Sequence, residues 1–256
     1  MLIVLSPAKT LDFDSPLPPI EASDARFVRD AQILIRRLRE FEVGELAELM
    51  ELSPSLAELN RQRYKSWRLN HGSPSARPCV FAFAGDVYEG LKAHTLSRED
   101  LLWSQQHLRI LSGLYGLLRP LDQIRPHRLE MGTRLDTERG SDLYAFWSDR
   151  LARALASELR AFSEPVLVNL ASVEYFGALP QKALPSRVIQ PVFQEMRGDT
   201  WKVISFMAKR ARGLMARHAI EEHIDRPEGL LEFDREGYRF DLKASDSTRW
   251  VFRRTA

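Results

Sequence analysis

Residues 105–134 read QQHLRILSGLYGLLRPLDQIRPHRLEMGTR, and the rest of the chain is interpreted around them. The segment holds Arg109, Arg119, Arg125, Arg128 and Arg134 against two acids, Asp122 and Glu130. Its local balance is 5 − 2 = +3, in a chain whose whole balance is 37 − 35 = +2. A short β-type run at 108–111 leads into Gly113 and Gly116, and Arg119-Pro120 closes the apolar stretch. Two glycines three apart permit positive φ, so successive backbone N–H groups can converge on a phosphate oxygen. Alternatively they allow only a tight core turn. Flanked by Arg109 and Arg119, the GxxG pattern resembles the hairpin of a helix-hairpin-helix, which grips phosphates without reading bases.

Working outward, residues 2–5 (LIVL) are an apolar run closed by Ser6-Pro7, the pattern of a buried strand. Lys9 lies in the proline-rich loop just beyond it. Apolar residues at helical spacing predict a helix over 24–41, a second one after Gly44 through Leu52, and a third from Ser53-Pro54 to about Trp67. These mix Arg with Glu, as a solvated outer face does. The loop at 71–78 is the nearest thing to an internal boundary. Residues 80–84 predict a strand, with Asp86 placed to cap a helix over 87–91. Ser97 and Asp100 form a capping box for a helix to about Gln106.

Beyond 134, Ser141 or Asp142 caps a long amphipathic helix ending near Phe162. Residues 166–170 are a strand, 172–179 a short helical turn, and 188–196 and 201–207 two strands joined by a hairpin at 197–200. A helix follows over 208–220, then two β segments at 238–242 and 249–254. Helices and strands interleave with no fixed repeat, which predicts one mixed α/β (α+β) domain over 1–256 around a largely buried sheet.

The second basic cluster is Lys202, Lys209, Arg210, Arg212 and Arg217, with no acid between Thr200 and Ile220. Such a run repels itself unless an anion is near. Gly213 inside this helix costs roughly 1 kcal/mol against alanine, which points to close approach by a neighbour. The two clusters are expected to face one cleft. An enzymatic alternative rests on Lys9, Asp86, Glu130 and Glu174, four charged residues at predicted strand ends or turns, where acid–base groups gather. No run of about 18 apolar residues spans a membrane. The lone Cys79 excludes an internal disulfide and fits a reducing, cytoplasmic compartment. Scattered histidines, with no HExxH or CxxC, argue against a metal site. GxGxxG, Walker A and GxSxG are absent, so no cofactor is expected.

Several ungapped strings make the chain resemble a known family. They are SPAKTLD (6–12), GDVY (85–88), QQHL (105–108), LSGLYGLLRPLD (111–122), RLEMG (128–132), NLAS (169–172) with EYF (174–176), and AKRARG (208–213). Together they resemble the YaaA peroxide-stress family. That resemblance implies a DNA-binding α/β protein with a helix-hairpin-helix and a basic cleft. It also implies a role in limiting free intracellular iron during hydrogen peroxide stress. It points to Lys9, the turn at 113–119, Arg128 and 209–212 as contact residues. Three positions depart from the pattern: His127 for tyrosine, Gly177 for lysine, and Arg210 for lysine.

Overall fold

A computed structural model describes residues 1–69, 75–184 and 187–255. Its framework is an eight-stranded, mostly parallel sheet. The strands are β1 (Leu2–Leu5), β2 (Leu108–Ser112), β3 (Gly116–Leu118), β4 (Val166–Leu170), β5 (Arg187–Arg197), β6 (Thr200–Lys202), β7 (Arg239–Phe240) and β8 (Arg249–Arg254). Their order is β7-β8-β5-β4-β1-β2-β3, with β6 added beside β5. β1 runs parallel to both β2 and β4, and β4 to β5 and β5 to β8 likewise. The antiparallel pairs are β2/β3, β5/β6 and β7/β8. Every residue of β1 and β4 is buried, as expected for runs covered on both faces.

Helices flank this sheet: α1 (Val28–Leu38), α2 (Val43–Met50), α3 (Pro54–Ser66), α4 (Asp86–Leu91), α5 (Arg98–His107), α6 (Leu143–Trp147), α7 (Arg150–Leu159), α8 (Val173–Phe176) and α9 (Ser205–Glu221). Their starts follow local chemistry. Ser53 accepts the Leu56 N–H at 3.4 Å, with Pro54 at the first helical position. Ser97 and Asp100 close the expected reciprocal box at 3.0 and 3.1 Å. Gly213 of α9 and Gly90 of α4 let the two helices touch backbone to backbone. A Cβ on Gly213 would stand 1.8 Å from the Val87 carbonyl oxygen, and one on Gly90 2.2 Å from that of Arg210. The neighbour implied by Gly213 is therefore another helix.

Several local expectations are corrected. The Gly113–Gly116 element is the turn of a buried β-hairpin between β2 and β3. No helix flanks it on its far side, so it is not a helix-hairpin-helix. Its glycines serve packing: a Cβ on Gly113 would lie 2.2 Å from the Leu129 carbonyl oxygen, and one on Gly116 (φ +70°) would strike Leu151 and Trp147. Trp147 Nε1 also donates to the Gly113 carbonyl at 2.9 Å. Residues 80–84 are not one strand. Cys79–Ala82 form a helical turn, and Phe83–Ala84 then pair with Thr10–Leu11. Asp86 begins α4 but makes no side-chain cap.

The long helix after Asp142 is broken at Ser148 (φ +48°) into α6 and α7. The strand expected over 201–207 ends at Lys202 because α9 begins at Ser205, although the hairpin turn with Gly198 (φ +58°) is present. Of the loop read at 71–78, positions 71–74 lie outside the described residues, and Arg77–Pro78 pair with Gln123–Ile124.

Candidate functional site

The chain leaves β1 toward β2 on one side of the sheet and leaves β4 toward β5 on the other. The ends of β1 and β4 thus form a topological switch point, where the loops diverge and open a crevice. A cavity of about 430 Å³ occupies that position. It is lined by the loop after β1 (Ser6 to Thr10), the loop after β4 (Ser172, Glu174, Tyr175), the start of α4, and Glu130, Lys209 and Arg212. Ser6 and Ser172 tie the two strand ends together. The Ser172 N–H donates to Ser6 Oγ at 2.8 Å, and Ser6 Oγ donates to Ser172 Oγ at 3.3 Å. Tyr88 Oη donates to the Ser6 carbonyl at 3.0 Å, fixing α4 against the same loop.

All four residues of the enzymatic alternative line this cavity: Lys9, Asp86, Glu130 and Glu174. Glu130 lies between two cations, 2.6 Å from Lys9 Nζ and 2.9 Å from Arg128 Nη2. Glu174 is held by the Gly132 N–H, which donates to its Oε1 at 2.9 Å. Lys209 and Arg212, three apart on α9, reach the cavity from the other wall. Among the described residues neither has a carboxylate partner, and Asp86 has no cationic one. Burial alone pulls the Arg212 guanidinium below its ordinary pKa, with nothing to offset it. Tyr88 and Tyr175 are both raised, first by burial; the nearby Glu174 and Glu130 charges raise Tyr175 further.

The other basic residues lie outside this cavity. Arg109 is buried and bonded to Glu158 at 2.6 Å, and it lines a separate cavity with Arg26, Arg119, Asp122 and Glu158. Arg119 holds Asp122 at 2.9 Å. Arg125 bonds Ser75 at 2.8 Å, and Arg134 is exposed away from the cavity lining. Arg210 is bonded to Glu236 at 2.9 Å, which raises its pKa. Arg217 caps the end of α4, donating to the carbonyls of Leu91 and Lys92 at 3.0 Å each, and pairs with Glu221 at 2.6 Å. Gly113 and Gly116 are buried under Trp147.

The two basic clusters therefore do not face one cleft. Of the first stretch only Glu130 lines the cavity with Lys209 and Arg212, and Arg128 is bonded to it at 2.9 Å. The ring of Ser6, Ser172, Tyr88 and Tyr175 was not singled out from sequence, although small polar residues directly after two buried strands are a usable signal.

A family model described as "Peroxide stress protein YaaA" matches residues 1–244. A UPF0246 protein of Ralstonia nicotianae is 53% identical over 257 residues, covering 100% of both chains. One from Paraburkholderia phytofirmans is 52% identical over 256 residues, covering 99% of this chain and 98% of its own. One from Bordetella pertussis is 53% identical over 254 residues, covering 99% of each. No helix among the described residues is long and apolar enough to cross a membrane.

Proposed function

From the premise that this chain belongs to the peroxide stress protein YaaA family, we propose that it binds DNA in the cytoplasm during hydrogen peroxide stress, holding backbone phosphates with little regard to base sequence. Through that binding it limits free intracellular iron and the oxidative damage that follows. One observation carries the DNA reading. Lys209 and Arg212 converge on the switch-point cavity with no carboxylate partner among the described residues, and Lys9 reaches the same space. Desolvating an unpaired guanidinium is costly, and an incoming phosphate repays it with charge-assisted hydrogen bonds. The contact set is smaller than the arginine count suggested: Lys9, Lys209 and Arg212, with Arg128 held beside them by Glu130.

The test is a binding titration of duplex DNA over a series of salt concentrations. The logarithm of affinity falls linearly with that of salt, because each neutralised phosphate releases counterions. An isotherm that is flat from low to moderate salt overturns the reading.

A second reading is favoured by a different observation: Lys9, Asp86, Glu130 and Glu174 share one cavity of about 430 Å³. That arrangement suits acid–base work on a nucleotide, nucleobase or other phosphate-bearing small molecule. It predicts that such a compound competes with DNA and is turned over, and that Glu130→Gln abolishes the turnover.

A further inference from the structure

The cavity at the ends of β1 and β4 is too small for a duplex, yet its volume of about 430 Å³ lies within the roughly 300–1,000 Å³ span of small-ligand sites. Its unpaired charges lie on different elements, while Lys9 and Glu130 neutralise each other at 2.6 Å. Lys209 and Arg212 stand on α9, while Asp86, Glu130 and Glu174 come from the other lining segments. A nucleotide is divided in the same way. Its phosphate needs cations, whereas the amino groups on the pairing edges of adenine, cytosine and guanine need acceptors. A bare phosphate would find no use for three carboxylates, and Asp86 in particular has no partner of its own among the described residues.

The elements that form the walls also carry uncovered apolar side chains. Phe206, one turn before Lys209 on α9, is 57% exposed, and Val173, next to Glu174 on α8, is 87% exposed. Apolar side chains that enter a base stack are how proteins hold open the gap left by an unstacked nucleotide.

Resting on the DNA reading above, we infer that the cavity receives one nucleotide extruded from the double helix. Lys209 and Arg212 hold the phosphate beside it, the carboxylates accept from the amino edge of its base, and Phe206 fills the vacated place in the stack. The energy of unstacking is least where the base is already unpaired or mispaired, so such sites are preferred over intact duplex. Thymine has no exocyclic amine for the carboxylates and is the poorest occupant.

The test uses the full chain and a duplex with 2-aminopurine at a mispaired position, whose fluorescence rises when it leaves the stack. Anisotropy of a distal label reports binding separately. The expected result is a several-fold rise in fluorescence at saturation, largely lost in Phe206→Ala. Because Phe206 is exposed its removal leaves the fold intact, and the anisotropy of the same variant is read at saturation so that a lost fluorescence rise is scored only where DNA is bound. Saturated anisotropy with no fluorescence rise overturns extrusion and leaves the DNA reading standing. No anisotropy change at all overturns the DNA reading, and extrusion with it. Equal enhancement by Phe206→Ala overturns the role given to Phe206. Binding of free dAMP as tight as that of the mispaired duplex, with no fluorescence rise on DNA, favours the small-molecule reading instead.

Discussion

Gly213 of α9 and Val87 of α4 meet so closely that a single methyl group on the glycine would stand 1.8 Å from the Val87 carbonyl oxygen. That contact sets the distance between the two helices. It therefore also sets where Arg212, the preceding residue, enters the cavity that Val87 and Tyr88 line from the other side. The site's two α9 cations are thus positioned by a helix crossing, whereas Lys9 is positioned by the loop after β1.

Gly213→Ala should accordingly destabilise the protein by about 1–3 kcal/mol, the usual cost of overpacking a tight contact, although alanine is the better helix former. Gly44→Ala is the control, since a Cβ there meets nothing within 4 Å. It should be neutral or stabilising by up to about 1 kcal/mol. Urea denaturation midpoints of the two variants check both statements, and equal midpoints would sink the packing argument.

His127 gives the fold an acid limb. Burial and, to a lesser degree, the nearby Arg63 charge pull its pKa down to about 4, although Nδ1 bonds the Arg125 carbonyl at 2.8 Å. The neutral ring is the form the fold stabilises. The unfolded chain takes up the proton near pH 6.5 and the folded one only near 4, so stability rises with pH across that window and falls as pH drops through it. The contribution is on the order of 3 kcal/mol at most. His127→Phe should flatten the dependence of the unfolding free energy on pH between 4 and 6.5. An unchanged slope in that variant would show that another group carries it.

Cys79 should be inert. It is fully buried, its Sγ lies 3.1 Å from the Arg119 carbonyl oxygen, and burial followed by the Asp122 charge raises its pKa well above the ordinary thiol value. Alkylation by iodoacetamide should be negligible in the native protein and rapid after denaturation. Cys79→Ala should protect cells against peroxide as the parent does. Fast labelling of the native thiol would reopen a sensing role.

Glu130 separates the two functional readings. It holds Lys9 at 2.6 Å in a half-exposed pair of little intrinsic stability. If the site holds phosphates, Glu130→Gln frees Lys9 and removes a like charge, so DNA binding tightens by a few-fold. In the enzymatic reading the same change eliminates turnover. Affinity and a nucleotide-hydrolysis assay on the one variant decide between them.

Much of this architecture was legible because its signals are local. The buried strands at 2–5 and 166–170, the caps at Ser53 and Ser97, and the close approach at Gly213 each depend on residues within a few positions of one another. Lys9, Asp86, Glu130 and Glu174 each sit at a predicted strand end or turn, which is a local signal, and the fold gathers them at one switch point. The arginines were misread for the opposite reason. Arg109 is neutralised by Glu158, 49 residues away, and Arg210 by Glu236, 26 residues away. A segment that is acid-free along the chain is therefore not acid-free in space. Gly113 and Gly116 carry the pattern of a phosphate loop, but Trp147 and Leu129 lie over them, and nothing within the turn itself announces that cover.

The most direct measurement is the salt dependence of duplex binding for the parent chain and for the double variant Lys209→Gln with Arg212→Gln. Each phosphate contact contributes about 0.9 to the slope of log affinity against log salt. Losing two contacts should lower the slope by about 2 and weaken all DNA sequences alike. A double variant that keeps the parent's slope would contradict the assignment of phosphate contacts to the cavity at the ends of β1 and β4.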